Sequence, residues 1–359
     1  MPQTVVFTAP REVGLVEVEA QPLQPGTVRV RTWYSGVSAG TELTAYRGTN
    51  PYLTGTWDPG ERMFRPGTPT HPYPLEGWGY SEVGEVVEVA ADVRGWSVGQ
   101  VVHGIWGHRS EAVVPVARLR GALPPDAALT GCFARVGAVA LNAVLAAPVA
   151  LGDRVAVYGQ GVIGLIATRL AVLSGAEVVA VDAVGERLER ALGMGAAHTV
   201  DARVAGGAGA VVRRWSGGGV DSAIELSGVV AALHQAVRSV VVDGTVVASG
   251  FYQGGAEELR LGEEFHHNRV RIVASQISGT PVALGGRWDQ ARLVATVMGL
   301  VARGRLDVLP LVTDLVDAAD VASVFARLDA GDPPVLQAVL RFPAAPPGPG
   351  AAAAAGAAT

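Results

Sequence analysis

Residues 155–182 read VAVYGQGVIGLIATRLAVLSGAEVVAVD, and this stretch decides the fold. The apolar run 155–158 leads into Gly159-Gln160-Gly161-Val162-Ile163-Gly164. A helix-length apolar segment follows, then a second strand-like run, 178–181, that ends in Asp182. This is a β-turn-α-β unit with G-x-G-x-x-G at its turn. The first glycine permits the tight bend, the second lets backbone approach a pyrophosphate, and the third lets helix pack on strand. Free N–H groups at the helix start carry a partial positive charge that suits phosphate. Gly159, Gly161, Val162, Ile163 and Gly164 are therefore the expected pyrophosphate cradle. Asp182 lies 18 residues past Gly164. A carboxylate there accepts the ribose hydroxyls and repels a 2′-phosphate, which favours NAD over NADP.

Downstream, the alternation of strand and helix continues. Residues 185–194, 210–215 and 229–240 read as helices, and 198–200, 220–225, 245–249 and 270–275 as strands. Six strands with crossover helices give a doubly wound parallel sheet. Ligands of such sheets meet the carboxyl ends of the strands. Ser227 with Gly228, and Gly250 with Phe251, fall at those ends. Ser275 and Gln276 end the sixth strand, where they can bond a carboxamide. Arg187 lies just past Asp182 and is placed to stack on adenine, or to stand as a solvated helix charge.

Upstream, residues 1–125 are β-like. Short Val- and Thr-rich runs broken by Pro and Gly suggest a small barrel. Residues 49–72 form a long Pro-, Gly- and Thr-rich loop carrying Tyr52, Trp57, Met63 and Phe64. It is either a variable surface excursion or a wall of a substrate pocket or dimer contact. Residues 126–147 and 287–303 read as helices. Beyond Pro343 the chain is PAAPPGPGAAAAAGAAT, with nothing to bury, so 344–359 is expected to be disordered.

Composition narrows the chemistry. The chain has 359 residues, 49% hydrophobic, with a net charge of -5, so two domains are the prior and no basic field points to nucleic acid. There is no lysine, which excludes a Schiff-base lysine. Cys132 is the only cysteine, which excludes a disulfide framework and a Cys-rich zinc site. The N-terminus lacks the pattern of a signal peptide, and the apolar region 136–151 is shorter than a membrane span. The expected location is the cytoplasm.

These motifs resemble those of the medium-chain dehydrogenase/reductase superfamily, that of zinc alcohol dehydrogenases and quinone reductases. Gly95-Trp96-Ser97-Val98-Gly99-Gln100-Val101-Val102 looks like its GW-x-VGDRV, and Gly79-Tyr80-Ser81-Glu82-Val83-Gly84 like its GHExxG. Val220-Asp221-Ser222-Ala223-Ile224-Glu225 looks like its VDxxxE. The segments 34–42 and 73–75 look most like the bacteriochlorophyllide a dehydrogenase-like branch. The resemblance implies an α/β chain with a GroES-like β-barrel catalytic domain, 1–137 and 280–343, around a Rossmann NAD-binding domain, 138–279. It also implies a homo-oligomer, dimer or tetramer, acting on a small molecule rather than nucleic acid or membrane.

The departures from the family pattern bear on the metal. Where zinc members carry cysteine, histidine and acid ligands, this chain has Ser38 or Ala39, Tyr80 and Ser81, and Phe133-Ala134-Arg135 with Cys132 offset. A zinc site needs three or four N, S or carboxylate ligands, so the expectation is no metal. Proton transfer then falls to hydroxyls or an imidazole. Thr41 matches a hydroxyl that begins a proton relay in zinc members, or caps a turn. Glu42 matches an acid of largely structural role. Tyr80 replaces a ligand histidine and either donates to a substrate oxygen or packs. His103 and His108 flank Trp106 in a segment with reach, His266 and His267 are expected to point opposite ways on an extended segment, and Arg135 is a possible anion contact. Thr41, Tyr80 and His108 are the catalytic candidates. The expected function is zinc-independent, NAD-dependent interconversion of a secondary alcohol and a ketone on a fairly large or cyclic molecule. The alternatives are an NAD(P)H-dependent ene or quinone reductase and a non-catalytic NAD-binding protein.

Overall fold

The computed structural model describes residues 1–331 and 335–346. Most of the tail anticipated at 344–359 therefore lies outside the described residues. The chain divides into two units, Met1–Ala134 with Leu309–Thr359, and Arg135–Val308. The sequence reading placed these divisions at 137/138 and 279/280. The helix Gln290–Ala302 belongs to the second unit because it packs on the helix Ala134–Ala146. Gly137 leaves the room for that contact, since a Cβ there would stand 2.4 Å from Val297 Cγ1.

The first unit is the GroES-like barrel. Its main sheet runs, in order, Leu119–Leu123, Val101–Gly104, Glu82–Val89, Thr27–Gly36, Gln337–Arg341 and Val312–Asp317, with Glu111–Pro115 also pairing on Thr27–Gly36. Alternation of valines buries Val28, Val30, Val86, Val102 and Val114 around Trp106. A second core gathers Phe7, Leu43, Tyr46, Phe325, Leu340 and Phe342. Phe7 meets Phe325 edge to face at 5.1 Å, a favoured aromatic geometry. The loop 49–72 is not structureless, because Gly55–Asp58 and Met63–Pro66 pair as a hairpin.

The second unit is the Rossmann sheet. Its six strands are β1 (Arg154–Tyr158), β2 (Glu177–Asp182), β3 (His198–Asp201), β4 (Val220–Glu225), β5 (Val240–Ala248) and β6 (Arg271–Ala274). They run parallel in the order β3-β2-β1-β4-β5-β6. The order reverses at β1, and that switch point is where such sheets bind ligands. Helices cover the apolar strands, which are buried on both faces as parallel strands require.

The single helix expected over 126–147 is instead a 3₁₀ segment, Pro125–Phe133, running into the α-helix Ala134–Ala146. Together they make 22 residues that are long and apolar enough to cross a membrane by length and composition, although 78% of the window is buried in the fold. The sequence reading missed this length because it began at Val136. His266 and His267 also differ from expectation. They lie on a helical turn, not an extended segment, with exposed rings 5.4 Å apart.

Phe325 is fully buried, and truncating a buried phenylalanine costs about 3–5 kcal/mol. Phe325→Ala is expected to move the first unfolding transition in urea, followed by circular dichroism, to markedly lower denaturant. An unshifted transition would contradict the packing described.

Candidate functional site

The glycine turn in the second unit separates its three tasks sterically. Gly159 has φ +85°, and a Cβ there would lie 2.7 Å from the Ser227 amide nitrogen. A Cβ at 164 would lie 1.8 Å from the Gly159 carbonyl oxygen, so helix Val162–Leu173 can seat on β1 only with glycine. Gly161, the N-cap of that helix, has nothing within 4 Å of its Cβ position. Val162 and Ile163 open the helix above this clear space, with their N–H groups unpaired by the helix itself.

Asp182 ends β2 and is buried. It accepts the Gln160 amide at 2.5 Å and the Val184 amide at 2.8 Å. The carboxylate thus clamps the glycine turn to the second strand and retains lone pairs for a further donor. Gln160 is itself buried, with its side chain donating to the Val157 carbonyl and accepting from Thr168. Arg187 sits in the first turn of helix Gly185–Gly193, half-buried.

At the ends of β4 and β5 stands an acid that sequence reasoning passed over as a motif letter. Glu225 is fully buried and accepts the Ser227 amide at 2.7 Å, the Ser227 hydroxyl, the Gly228 amide at 3.2 Å and the Tyr252 hydroxyl at 2.5 Å. Burial pushes its pKa up against those donors. A Cβ at Gly250 would stand 2.3 Å from the Gly228 amide nitrogen, so the two strand-end loops approach as closely as backbone allows. Phe251, beside them, is exposed. Ser275 donates to Ser249 at 2.9 Å, and its carbonyl accepts from Asn142. Gln276 is exposed and accepts the Ser278 amide at 2.6 Å.

The first unit holds a second cluster. Ser38 is the N-cap of helix Ala39–Arg47. Its hydroxyl does not cap the helix but bonds the Tyr80 hydroxyl, and Thr41 Oγ1 stands 3.4 Å from the same Tyr80 oxygen. Ser38, and not Ala39, is therefore the residue that shares this spot with Tyr80. Ser81 and Cys132 flank Gly36, two residues before Ser38, each with its Cβ 3.3 Å from where a Gly36 Cβ would lie. Burial, and next the nearby Glu82 carboxylate, push the Cys132 thiol pKa up.

Beneath the hydroxyls runs a buried chain of ionisable groups. Glu42 Oε1 accepts the Ser38 amide at 3.0 Å, and its Oε2 meets His108 Nε2 at 2.7 Å. His108 Nδ1 meets Ser35 Oγ at 2.6 Å, and Ser35 bonds Glu82 at 3.3 Å. Glu82 also accepts the Ser81 and Trp106 amides. Glu42, Glu82 and His108 are fully buried. Burial lowers the His108 pKa, but Glu42 and then Glu82 more than offset that, so it is raised. Burial raises that of Glu82, against the pull of His108 and the donated amides. His108, expected to reach substrate, has both ring nitrogens occupied and no exposed surface; it positions Glu42 and Ser35. Sequence reasoning missed Ser35 and Glu82 because nothing in their spacing shows that strands Thr27–Gly36 and Glu82–Val89 pair Ser35 with Glu82.

The other candidates lie apart from this chain of groups. His103 is buried, with its pKa lowered to about 4 by burial and Arg120. Arg135 donates to Gln290 Oε1 at 3.1 Å.

The spot at Ser38, Tyr80 and Ser81 does not fit a zinc ion. Its donors are hydroxyls and a thiol pushed toward its protonated form, whereas zinc takes imidazole, thiolate or carboxylate. The imidazole of His108 is already held by Glu42 and Ser35. Among the described residues, the one group of three or more His, Cys, Asp or Glu side chains with metal-holding spacing is His234, Glu263 and Glu264, in the second unit.

Comparison with known proteins adds four findings. Residues 162–291 match the family model described as zinc-binding dehydrogenase. The chain is 31% identical to D-guloside 3-dehydrogenase of Shigella flexneri, over 88% of this chain and 93% of that one. It is 25% identical to 2-desacetyl-2-hydroxyethyl bacteriochlorophyllide A dehydrogenase of Cereibacter sphaeroides, over 94% and 96%. The crystal structure of 2R,3R-butanediol dehydrogenase from Bacillus subtilis superposes with a TM-score of 0.77 at 23% identity, covering 95% of this chain and 99% of that one, and shares the fold.

The buried chain carries a pH signature. A group whose pKa is raised in the folded state contributes stability that is complete below its unfolded value and is lost as pH rises through the folded value. For His108 that loss begins above the ordinary value of 6.5; for Glu82 it begins above 4.5. The thermal midpoint of the first unit is thus expected to fall as pH rises above the ordinary histidine value of 6.5, and His108→Gln to flatten the slope. Equal slopes in the two proteins would show that the pair is not the source.

Proposed function

This chain belongs to the medium-chain dehydrogenase/reductase superfamily, in its zinc-type alcohol dehydrogenase-like group, and from that premise we propose how its residues work. It is an NAD(P)-dependent oxidoreductase that interconverts alcohol and ketone. The finer reading is an NAD-preferring, zinc-independent enzyme acting on a secondary alcohol of a fairly large or cyclic small molecule. The observation that carries it is the hydroxyl cluster of Ser38 and Tyr80, at positions where the family pattern has metal ligands, with Thr41 beside them.

The cofactor would be held by Gly159, Gly161, Val162, Ile163 and Gly164 at the pyrophosphate, and by Asp182 at the ribose. Arg187 would lie at the adenine, and Ser227, Gly250, Phe251, Ser275 and Gln276 at the nicotinamide end. Support comes from the clear space at Gly161 and from Asp182, fixed by two amides with lone pairs to spare. A bound nicotinamide supplies hydride acceptance or donation at carbon. Tyr80 donates its proton to the ketone oxygen as it becomes an alcohol, and Ser38 and Thr41 relay a proton from solvent to the resulting phenolate. In the opposite direction the same hydroxyls pass the alcohol proton out to solvent. Glu42 and His108 are positioning residues that fix Ser38 through its backbone amide. The size of the substrate is supported by the ring cluster of the 49–72 excursion, where Trp57 and Tyr52 flank the exposed Phe64 at 5.0 and 5.1 Å. The relative that acts on a guloside, a cyclic glycoside, is consistent with it. We place the enzyme in the cytoplasm as a homo-oligomer.

Assay against glycosides and cyclic secondary alcohols tests the reading. Tyr80→Phe is expected to lower kcat about 10²-fold or more, the usual worth of a positioned proton donor, and to leave NADH affinity unchanged. NADH is expected to bind more tightly than NADPH, and activity to survive exhaustive chelation. Loss of activity on chelation, restored by zinc, would overturn zinc independence. Tighter binding of NADPH together with reduction of conjugated C=C bonds would favour an ene reductase.

A further inference from the structure

We propose that His234, Glu263 and Glu264 form a binding site for a divalent first-row transition ion. The site lies on the helix Val230–Ser239 and the turn Leu261–Phe265 of the second unit, elements that do not carry the glycine turn. The three ligand atoms lie within 4.8 Å of one another. Nitrogen and oxygen ligands sit about 2.0–2.2 Å from such an ion, so two on one ion stand at most about 4.4 Å apart. The widest of the three separations therefore has to shorten by no more than about 0.4 Å.

Three further observations point to an ion. First, each carboxylate commits one oxygen to an arginine and leaves the other to the cluster. Glu263 Oε1 pairs with Arg260 at 3.2 Å and Glu264 Oε1 with Arg238 at 3.0 Å. Such outer contacts are how ligating carboxylates are oriented. Second, the uncommitted atoms are orphaned. Glu264 Oε2 and His234 Nδ1 are buried without a hydrogen-bond partner. His234 is only 9% exposed, and its Nε2 faces Glu263 Oε2 at 4.0 Å, beyond hydrogen-bonding range. Buried unpartnered polar atoms are costly, and Glu264 Oε2, beside the imidazole, is one that an ion at the cluster would satisfy. Third, the charges do not balance. The cluster borders a cavity of ≈ 530 Å³ lined by His234, Arg238, Glu257, Glu258, Arg260 and Glu263. With Glu264, four carboxylates face two guanidiniums, an excess of two negative charges that a divalent cation cancels. Ion pairing alone accounts for the two arginines and leaves the orphaned atoms and the excess charge unexplained. One imidazole and two carboxylates select a first-row transition ion over magnesium.

Isothermal calorimetry of Zn²⁺ into the full chain tests the site independently of turnover. The wild-type protein is expected to bind one equivalent that His234→Ala and Glu263→Gln each weaken at least tenfold, with NADH affinity unchanged in both. Absence of saturable binding, or an equivalent that both variants retain, would overturn the proposal. If His234→Ala fails to fold by circular dichroism, the exposed Glu263→Gln position decides alone. Because the readout is binding at His234, the result stands apart from whether the reaction itself needs zinc.

Discussion

The second unit depends on one van der Waals limit. A single methyl at position 164 would penetrate the Gly159 carbonyl to 1.8 Å, so helix and strand close on each other only because both positions are bare. That closeness brings the helix N-terminus to the sheet's switch point and lets the Gln160 amide reach Asp182 across the turn. Everything useful for a dinucleotide follows: the open backbone at Gly161, the free helix amides and the acid at the end of β2. The same economy of side chain recurs at Gly228 and Gly250, where two loops meet backbone to backbone over Glu225.

The first unit solves a harder problem, since it buries two carboxylates and an imidazole with no exposed surface. Isolated buried charges are strongly disfavoured. Here each carboxylate finds several donors: Glu42 takes the Ser38 amide and His108, while Glu82 takes two amides and Ser35. Removing one member leaves the others unpaired, which costs more than the net worth of the pair itself. The cluster therefore acts as one unit, and it fixes the helix Ala39–Arg47, on whose N-cap the Ser38 hydroxyl stands.

How much of this was legible in the sequence depends on how local the signal is. The glycine turn, Asp182 and the six parallel strands are written within short windows, and the doubly wound sheet appears in the order the pattern implies. The lost ligand positions were legible as residue types, but whether Ser38 or Ala39 occupied the spot required the N-cap geometry. Glu225 sat inside a recognised motif, yet its four donors come from residues up to 27 positions away. His108 was a catalytic candidate, but its full burial between Glu42 and Ser35 cannot be read from one residue flanked by glycine and arginine. His234 and Glu263 lie on separate elements 29 residues apart, a spacing that belongs to no local metal motif.

The distribution of charge explains why the cluster of Ser38, Thr41 and Tyr80 is made of neutral hydroxyls. His108 is the one base near the hydroxyls that a proton relay would normally recruit, yet its two nitrogens are spent holding Glu42 and Ser35. Freeing the ring would strand a buried carboxylate, so the fold trades the imidazole's reactivity for the placement of Ser38. What remains at the half-buried edge is Tyr80 with two aliphatic hydroxyls. Under the function proposed above, such a set would donate to a neutral carbonyl oxygen without first carrying a charge into the barrel, which suits a reaction whose charge change is confined to the nicotinamide and a single proton.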